Sequence, residues 1–441
     1  MKREDRKHPD GTIQGKSSPA DRDRILYSPE FRRLASVTQV AVAEGGLLFH
    51  NRLTHSLKVA QIGRRLAEGL LDSHREIAVS LGGIDPETVE SAALAHDLGH
   101  PPFGHVAERK LDKLLLKEGV ADGFEGNPQS FRIVTKIAVQ GDHYDGLNLA
   151  RATLNALLKY PHMRKPSGKG NKKWGAYTFE EDDFRFARAL QTVGNGDSMC
   201  VEAQIMTWAD DITYSVHDIE DFYQAGLIPL DQLTSKDGRE VDRFLANVFE
   251  RWSRKGITSK YGKDELSEAF RGLLKLAPIQ EPYSGARRQQ AALRNFTSGL
   301  IDRYVGHTKL IEGDNSSGNL EIDKNILMEV EMLKELLWYY VIKNPALASQ
   351  EHGQSRIIEE LFNIFAQAAT SNDSDDWAIL PGRARELIDE IVKLNGQNTS
   401  KNERLRVVAD TVAGMTEQQA LQMFHRLTAI SPGSLFQPIA T

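Results

Sequence analysis

The sequence predicts an all-α protein, on two observations. Apolar residues recur at three- and four-residue spacing through most of the 441 positions, and the strict alternation of a half-buried strand is nearly absent. Helix start and stop signals also bracket the periodic segments. With 40% hydrophobic and 26% charged residues the composition is globular, which excludes collagen-like, disordered and membrane-embedded classes for the bulk of the chain. At ~150 residues per domain, the length allows about three domains or one large helical body.

The elements run in order from the N-terminus. Residues 1–20 open as MKREDRKHPDG, too polar for the apolar core of a secretory signal, and read as a mobile arm. Ser28 and Pro29 supply a cap and a first helical position for a short helix to about Val37. A longer helix starts near Asn51 and runs to about Leu71, its spacing marked by Leu53, Leu57, Ala60 and Arg64. Asp85 and Pro86 start the next, which ends beside the pair His96 and Asp97. Further helices are expected at about 103–118, 127–140, 147–160, 181–193 and 197–224. The run PHMRKPSGKGNKKWG (161–175) reads as an exposed, solvated connector rather than a nucleic-acid patch, because Trp174 is its only stacking aromatic. From 229 to 430 amphipathic patterns continue, clearest at 239–254, 284–305 and 322–343. They show no fixed period, which excludes a solenoid, and packing or oligomer contacts are the expectation for them.

Charge and cysteine content narrow the function. Against 61 acidic residues stand 55 Lys and Arg, a net charge of −6, so an anionic ligand has to be caught by a local pocket rather than by the whole surface. The single cysteine, Cys200, excludes an intrachain disulfide or a thiolate metal cluster and points to a reducing cytosol. The longest apolar stretches, such as LLWYYVI at 336–342, fall far short of the ~20 residues a membrane span needs.

Three places offer hard-metal ligands on helices: His55, the adjacent His96 and Asp97, and the acidic pair Asp210 and Asp211. Two imidazoles with two carboxylates favour Mn²⁺, Fe²⁺, Co²⁺, Mg²⁺ or Zn²⁺ over copper or calcium. In HDLGHPPFGHVAE, His105 and Glu108 are three apart and share a helical face, where the carboxylate can orient the imidazole for general acid/base work. On the acidic helix, Asp210, Tyr214, His217 and Asp218 fall on one stripe, while Asp211 is rotated by about 100°. Neither GxxxxGK[ST] nor GxGxxG occurs, so arginines and a metal must hold any phosphates. Arg52, three residues before His55, is the best placed; Arg22, Arg24, Arg32 and Arg33 are further candidates.

Six blocks in one order carry a resemblance: DRDRILYSPEFRRLASVTQV, NRLTHSLKV, AHDLGHPPFGHVAE, GFEGNPQS, GLNLARATLNALLKYP and WADDITYSVHDIED. Over residues 21 to about 225 the chain resembles the HD superfamily of metal-dependent phosphohydrolases, specifically the bacterial deoxyguanosine triphosphate triphosphohydrolases. The resemblance implies a helical HD core over 21–228 and a C-terminal helical region over 229–441 that completes the site and makes oligomer contacts. It implies His55, His96, Asp97 and Asp210 as metal ligands, His105 with Glu108 as the catalytic pair, and His100 as a further polar active-site residue. Gln39 and Asp218 resemble the groups that hold the deoxyribose 3′-hydroxyl, Arg52 and Tyr214 the phosphate and sugar contacts, with Asn127 beside them. Lys58 stands where the family commonly has an acidic residue, and Pro128 where it has alanine; Lys58 is read as a change of rim charge.

The resemblance further implies a cytoplasmic enzyme that converts a deoxynucleoside triphosphate to a deoxynucleoside and tripolyphosphate. Its cofactor would be a divalent cation, Mn²⁺ or Mg²⁺ first, then Fe²⁺, Co²⁺, Ni²⁺ or Zn²⁺. A homo-oligomer, commonly a hexamer among relatives, is expected by analogy. The rival readings are an HD phosphohydrolase acting on nucleoside monophosphates or guanosine tetraphosphate, and a nucleotide-sensing or DNA-binding module using residues 161–175.

Overall fold

A computed structural model describes residues 2–9, 17–39, 50–165, 173–190, 198–312, 319–395 and 401–431. Helix α1 (Ser17–Tyr27) leads into α2 (Pro29–Arg33), where the Ser28 hydroxyl accepts from Phe31 N and Pro29 fills a position whose N–H would be unpaired anyway. A 3-10 turn over Leu34–Ser36 follows. Helix α3 (Arg52–Ser73) is capped by Asn51, whose side chain accepts from Thr54 N, and buries Val59, Ile62, Leu66 and Leu70. After α4 (Arg75–Ser80), Asp85 caps α5 (Pro86–Ala95), which stops at His96.

Next come α6 (His105–Lys117), α7 (Gly126–Arg132) with a π-turn over Ile133–Ile137, α8 (Arg151–Leu157), α9 (Glu181–Arg188) and the long α10 (Val201–Gln224). Helices α3, α5 and α10 pack on one another around Gly63. A Cβ there would stand 3.1 Å from Val89 Cγ1 and 3.5 Å from Ala209 Cβ, so the missing side chain permits the close approach that aligns His55 with Asp210.

Beyond them lie α11 (Leu230–Leu233), α12 (Arg239–Lys255), α13 (Lys263–Leu274) and α14 (Arg287–Gly306). A hairpin of β1 (Thr308–Ile311) and β2 (Asn319–Ile322) pairs Thr308 with Ile322 and Leu310 with Leu320. Four-residue strands are too short for alternation to stand out in sequence, which is why the sequence predicts no sheet. The chain closes with α15 (Lys324–Leu337), a π-turn over Trp338–Ile342, α16 (Pro345–Thr370), α17 (Gly382–Asn395), α18 (Lys401–Ala413) and α19 (Glu417–Leu427). Among the described residues no helix is long and apolar enough to cross a membrane.

The apolar interior does not divide at residue 228. One core runs from Ile25 to Val341, because α10 packs against α14 and α15. A second joins Ala107, Leu111 and Leu115 of α6 to Phe362, Phe365, Leu405 and Val408 of the C-terminal helices. Helix α6 therefore carries His105 on a scaffold built from both ends of the chain.

Two polar segments are bound more firmly than their composition suggests. In the expected mobile arm, residues 2–9 lie on the core: Arg6 pairs with Asp21 at 2.6 Å, Lys7 with Asp183 at 2.6 Å and Arg3 with Glu202, and Ala152 N donates to Arg3 O at 3.0 Å. Each of those carboxylates is buried, and the arm brings it an opposite charge; Asp183 also pairs with Lys136 at 3.0 Å. The ends of the basic loop are docked as well, with Trp174 buried under the Arg164 guanidinium at 4.4 Å and Arg164 on Asp112 at 2.6 Å. Residues 1, 10–16 and 166–172 lie outside the described residues.

Candidate functional site

The end of the α3, α5 and α10 packing brings candidate ligand atoms of His55, His96 and Asp210 within 4.8 Å of one another, with Asp97 beside His96. His55 Nε2 lies 3.1 Å from Asp210 Oδ1, His96 Nε2 lies 3.7 Å from the same oxygen, and Asp97 Oδ1 lies 3.3 Å from His96 Nε2. His96 Nδ1 donates to Ala93 O at 2.6 Å, which fixes the tautomer and leaves the buried Nε2 lone pair without a hydrogen-bond partner. Asp97 turns its other oxygen to Arg52 Nη1 at 2.9 Å. A fixed, bare imidazole nitrogen beside a second imidazole and two carboxylates fits a divalent cation, because such a lone pair is costly to bury unless something binds it. Burial opposes ionisation of both acids. The neighbouring imidazoles of His96 and His100 and the Arg52 guanidinium nevertheless hold Asp97 well below the usual carboxylate range, and Lys159 with the His55 hydrogen bond does the same for Asp210.

The HD turn continues into a second group. His105, the first residue of α6, pairs through Nδ1 with Glu108, which also accepts from Gly126 N at 2.8 Å. A Cβ on Gly126 would meet that carboxylate at 2.6 Å, so α7 approaches Glu108 this closely only with glycine there. His105 is exposed and Glu108 is buried; against the burial, the His105 hydrogen bond and the His100 charge hold Glu108 below the usual carboxylate range. His100 bridges the two groups, with Nδ1 3.1 Å from Asp97 and Nε2 4.0 Å from Glu108. Its pKa is lowered by burial and by Arg52.

Both groups face one cavity of about 420 Å³. Its walls also include Gln39, Arg52, Asn127, Lys159, Lys173 and Tyr214, together with Gln350, Glu351, Gln354 and Glu417 from the far end of the chain.

Comparison with known proteins places the chain in a family. Residues 52–215 match the HD domain, and residues 320–426 match the phosphohydrolase-associated domain. The chain is 36% identical over 426 residues to a deoxyguanosinetriphosphate triphosphohydrolase-like protein of Streptomyces coelicolor, with 92% of each chain covered. A protein of the same description from Bifidobacterium longum is 33% identical over 91% of this chain and 81% of its own length. One from Mesorhizobium japonicum is 30% identical over 95% and 94%. The chain belongs to the deoxyguanosinetriphosphate triphosphohydrolase-like family of HD phosphohydrolases.

Within that family frame, the cavity gathers most of the residues singled out in sequence. His55, His96, Asp97, Asp210, His100, His105, Gln39, Arg52, Asn127 and Tyr214 line it, and Glu108 stands directly behind His105. Asp218 does not line it. That carboxyl is buried beneath the wall with Oδ2 unpartnered, and burial together with Asp221 and Asp210 pushes its pKa well above the usual value. The helical stripe explains the difference: two turns beyond Asp210, the side chain has passed the cavity floor. His217 packs edge-on against His50, 5.8 Å between centroids. Lys58 sits against His50 near Glu220, Asp221 and Asp218 and away from the cavity rim, so the change at this position alters an internal cluster.

Of the arginine candidates, only Arg52 reaches the cavity. Arg24 donates to Leu147 O and Asn148 O, and Arg33 to Leu98 O and His100 O at 2.8 Å, so these guanidiniums hold backbone carbonyls. Arg22 lies near Glu90, and Arg32 is absent from the cavity wall. Three cations that do face the cavity escape the sequence reading: Lys159, 2.7 Å from Asp210 Oδ2, Lys173, paired with Glu125, and Arg109. A lysine and tyrosine directly after the last apolar helical position, before Pro161, are the available signal. The pKa of Lys159 is raised, because Asp210 and Asp211 outweigh burial.

Proposed function

We propose that this chain hydrolyses deoxynucleoside triphosphates to a deoxynucleoside and intact tripolyphosphate, with dGTP favoured because its relatives carry that substrate in their names. The supporting observation is a single cavity that holds the convergent ligand atoms of His55, His96 and Asp210, with Asp97 beside His96, on one side and His105, backed by Glu108, on the other. His55, His96, Asp97 and Asp210 would hold the cation, Mn²⁺ or Mg²⁺ by the hardness of the set. When bound, such an ion polarises a phosphoryl oxygen and lowers the pKa of water.

The chain's own groups do the rest. Glu108 holds the His105 imidazole through Nδ1, which leaves Nε2 to move the proton. Lys159, Lys173, Arg109 and Arg52 supply the positive wall that a triphosphate requires and that stabilises charge growing on phosphorus. Gln39 Oε1 is buried without a partner and is free to accept from the deoxyribose 3′-hydroxyl. To Tyr214, one turn beyond Asp210, we assign the exclusion of a 2′-hydroxyl. The test is product analysis with each deoxynucleoside triphosphate and with GTP, in Mn²⁺ or Mg²⁺. Tripolyphosphate is the expected product, and GTP is the expected poor substrate. Pyrophosphate or orthophosphate as the sole early product overturns the reaction, and equal rates on GTP and dGTP overturn the sugar assignment.

A further inference from the structure

Glu417 begins α19, far from the HD motif in sequence, yet it lines the same cavity. Both of its oxygens are committed to the opposite part of the chain. Oε1 accepts from Thr38 N at 2.9 Å and from Phe103 N at 3.3 Å, and Oε2 accepts from the Thr38 hydroxyl at 2.9 Å. Phe103 has φ +66°, a left-handed conformation that is unfavourable for a residue with a Cβ and persists only where its surroundings hold it. Gly104 follows at φ +56°, and then comes His105.

A second bond set reaches the same turn. Arg33 donates to Leu98 O and His100 O and, on the other side, to Met415 O at 3.1 Å. The corner between α18 and α19 is thus fastened to the HD turn at both ends, by Arg33 before it and by Glu417 at Phe103. Gln39, whose Oε1 is available to a sugar, directly follows Thr38.

We propose that Glu417 is a positioning residue: its carboxylate holds the strained Phe103–Gly104 turn, and so the place of His105, while anchoring Thr38 and so Gln39. The phosphohydrolase-associated region therefore sets the geometry of the proton-transferring histidine in the HD domain. The catalytic part of this role rests on the proposed function of His105.

The full chain is compared as wild type, Glu417→Ala and Glu417→Gln. Glu417→Ala should keep its bound cation and lose ~10- to 100-fold in kcat, the scale of a misplaced catalytic group. Glu417→Gln should stay within ~3-fold of wild type, because the amide oxygen still accepts from both N–H groups and the amide nitrogen can donate to Thr38. In a His105→Ala background the kcat effect of Glu417→Ala should vanish, whereas any KM effect through Gln39 should remain. Wild-type kcat in Glu417→Ala, an unchanged loss in the His105→Ala background, or a Gln variant as poor as Ala each overturns the proposal.

Amide hydrogen exchange over residues 98–108 gives a readout independent of the reaction. It should quicken in Glu417→Ala and not in Glu417→Gln, with residues 355–370 unchanged. If the wild type hydrolyses no deoxynucleoside triphosphate, the proposed function falls, and the exchange comparison still decides the role of Glu417: unaltered exchange in the Ala variant overturns it.

Discussion

Two buried polar clusters, one around Arg132 and one around Asp210, differ in kind. Around Arg132, the guanidinium pairs with Glu180 and takes both oxygens of Asp410 through Nε at 3.0 and 2.9 Å, while Gln129 donates to Asp410 at 2.9 Å. Around Asp210 there are also ion pairs, Lys159 to Asp210 and Arg52 to Asp97, yet His96 Nε2 is left bare and the group opens into a cavity. Burial and ion pairing are common to both, so neither marks function. What distinguishes the Asp210 cluster is a set of lone pairs that converge on a space large enough for a ligand.

The contrast is broken or sharpened first by one substitution in each cluster. Asp210→Asn keeps volume and hydrogen bonding but removes a ligand charge, so bound metal should be lost and activity should fall below ~1% of wild type, with the fold retained. Asp410→Ala leaves Arg132 with Glu180 as its remaining carboxylate and Gln129 without its acceptor, and should cost ~1–3 kcal/mol of stability while the folded fraction still binds metal. Metal analysis beside thermal unfolding checks both. Metal loss in Asp410→Ala with little change in Tm would erase the distinction between the clusters.

A smaller effect is expected at the second group on the cavity. His105→Ala should retain metal and lose ~100-fold in kcat, about 2.7 kcal/mol of transition-state stabilisation. Single-turnover rates with metal content measured on the same sample decide it. Near-normal turnover would remove His105 from the chemistry and leave the cavity with a metal centre alone.

The same contrast governs what the sequence makes legible. Helices α3 and α5 are legible because the cap residues Asn51 and Asp85 sit where their side chains accept the first free N–H groups, whereas the short α4 between them, with no such cap, escapes. The candidate ligands His55, His96, Asp97 and Asp210 are legible because they lie in blocks with local spacing, and the fold brings all four to one cavity. Glu417, Gln350 and Glu351 are not legible, since contacts spanning more than two hundred residues leave no local pattern, and α16 and α19 show only ordinary amphipathic periodicity. Lys159 escapes for a related reason: the block that carries it reads as a packing helix, and α8 ends at Leu157, two residues before the lysine turns to Asp210. The arm over residues 2–9 reads as mobile because polarity of the segment says nothing about the buried carboxylates Asp21, Asp183 and Glu202 that receive it.

The smallest expected effect is the sharpest test of the helical register. Asp211 stands next to Asp210 and also borders the cavity, so composition alone would let either carboxylate serve as the ligand. Geometry separates them, because Asp210 Oδ1 lies within reach of both imidazoles, whereas Asp211 turns to Lys334 of α15 at 2.7 Å, with both partners about one-third exposed. A pair so exposed contributes ~0–1 kcal/mol, since solvent screens it and ordering the lysine costs entropy. Asp211→Ala should therefore keep its metal, shift Tm by a few degrees at most and change turnover only a few-fold, through the loss of a cavity-wall charge near Lys159. Metal analysis of Asp211→Ala beside Asp210→Asn decides it: an ion lost from the Asp211 variant and kept by the Asp210 variant would place the ligand one residue on, rotated about 100° around α10.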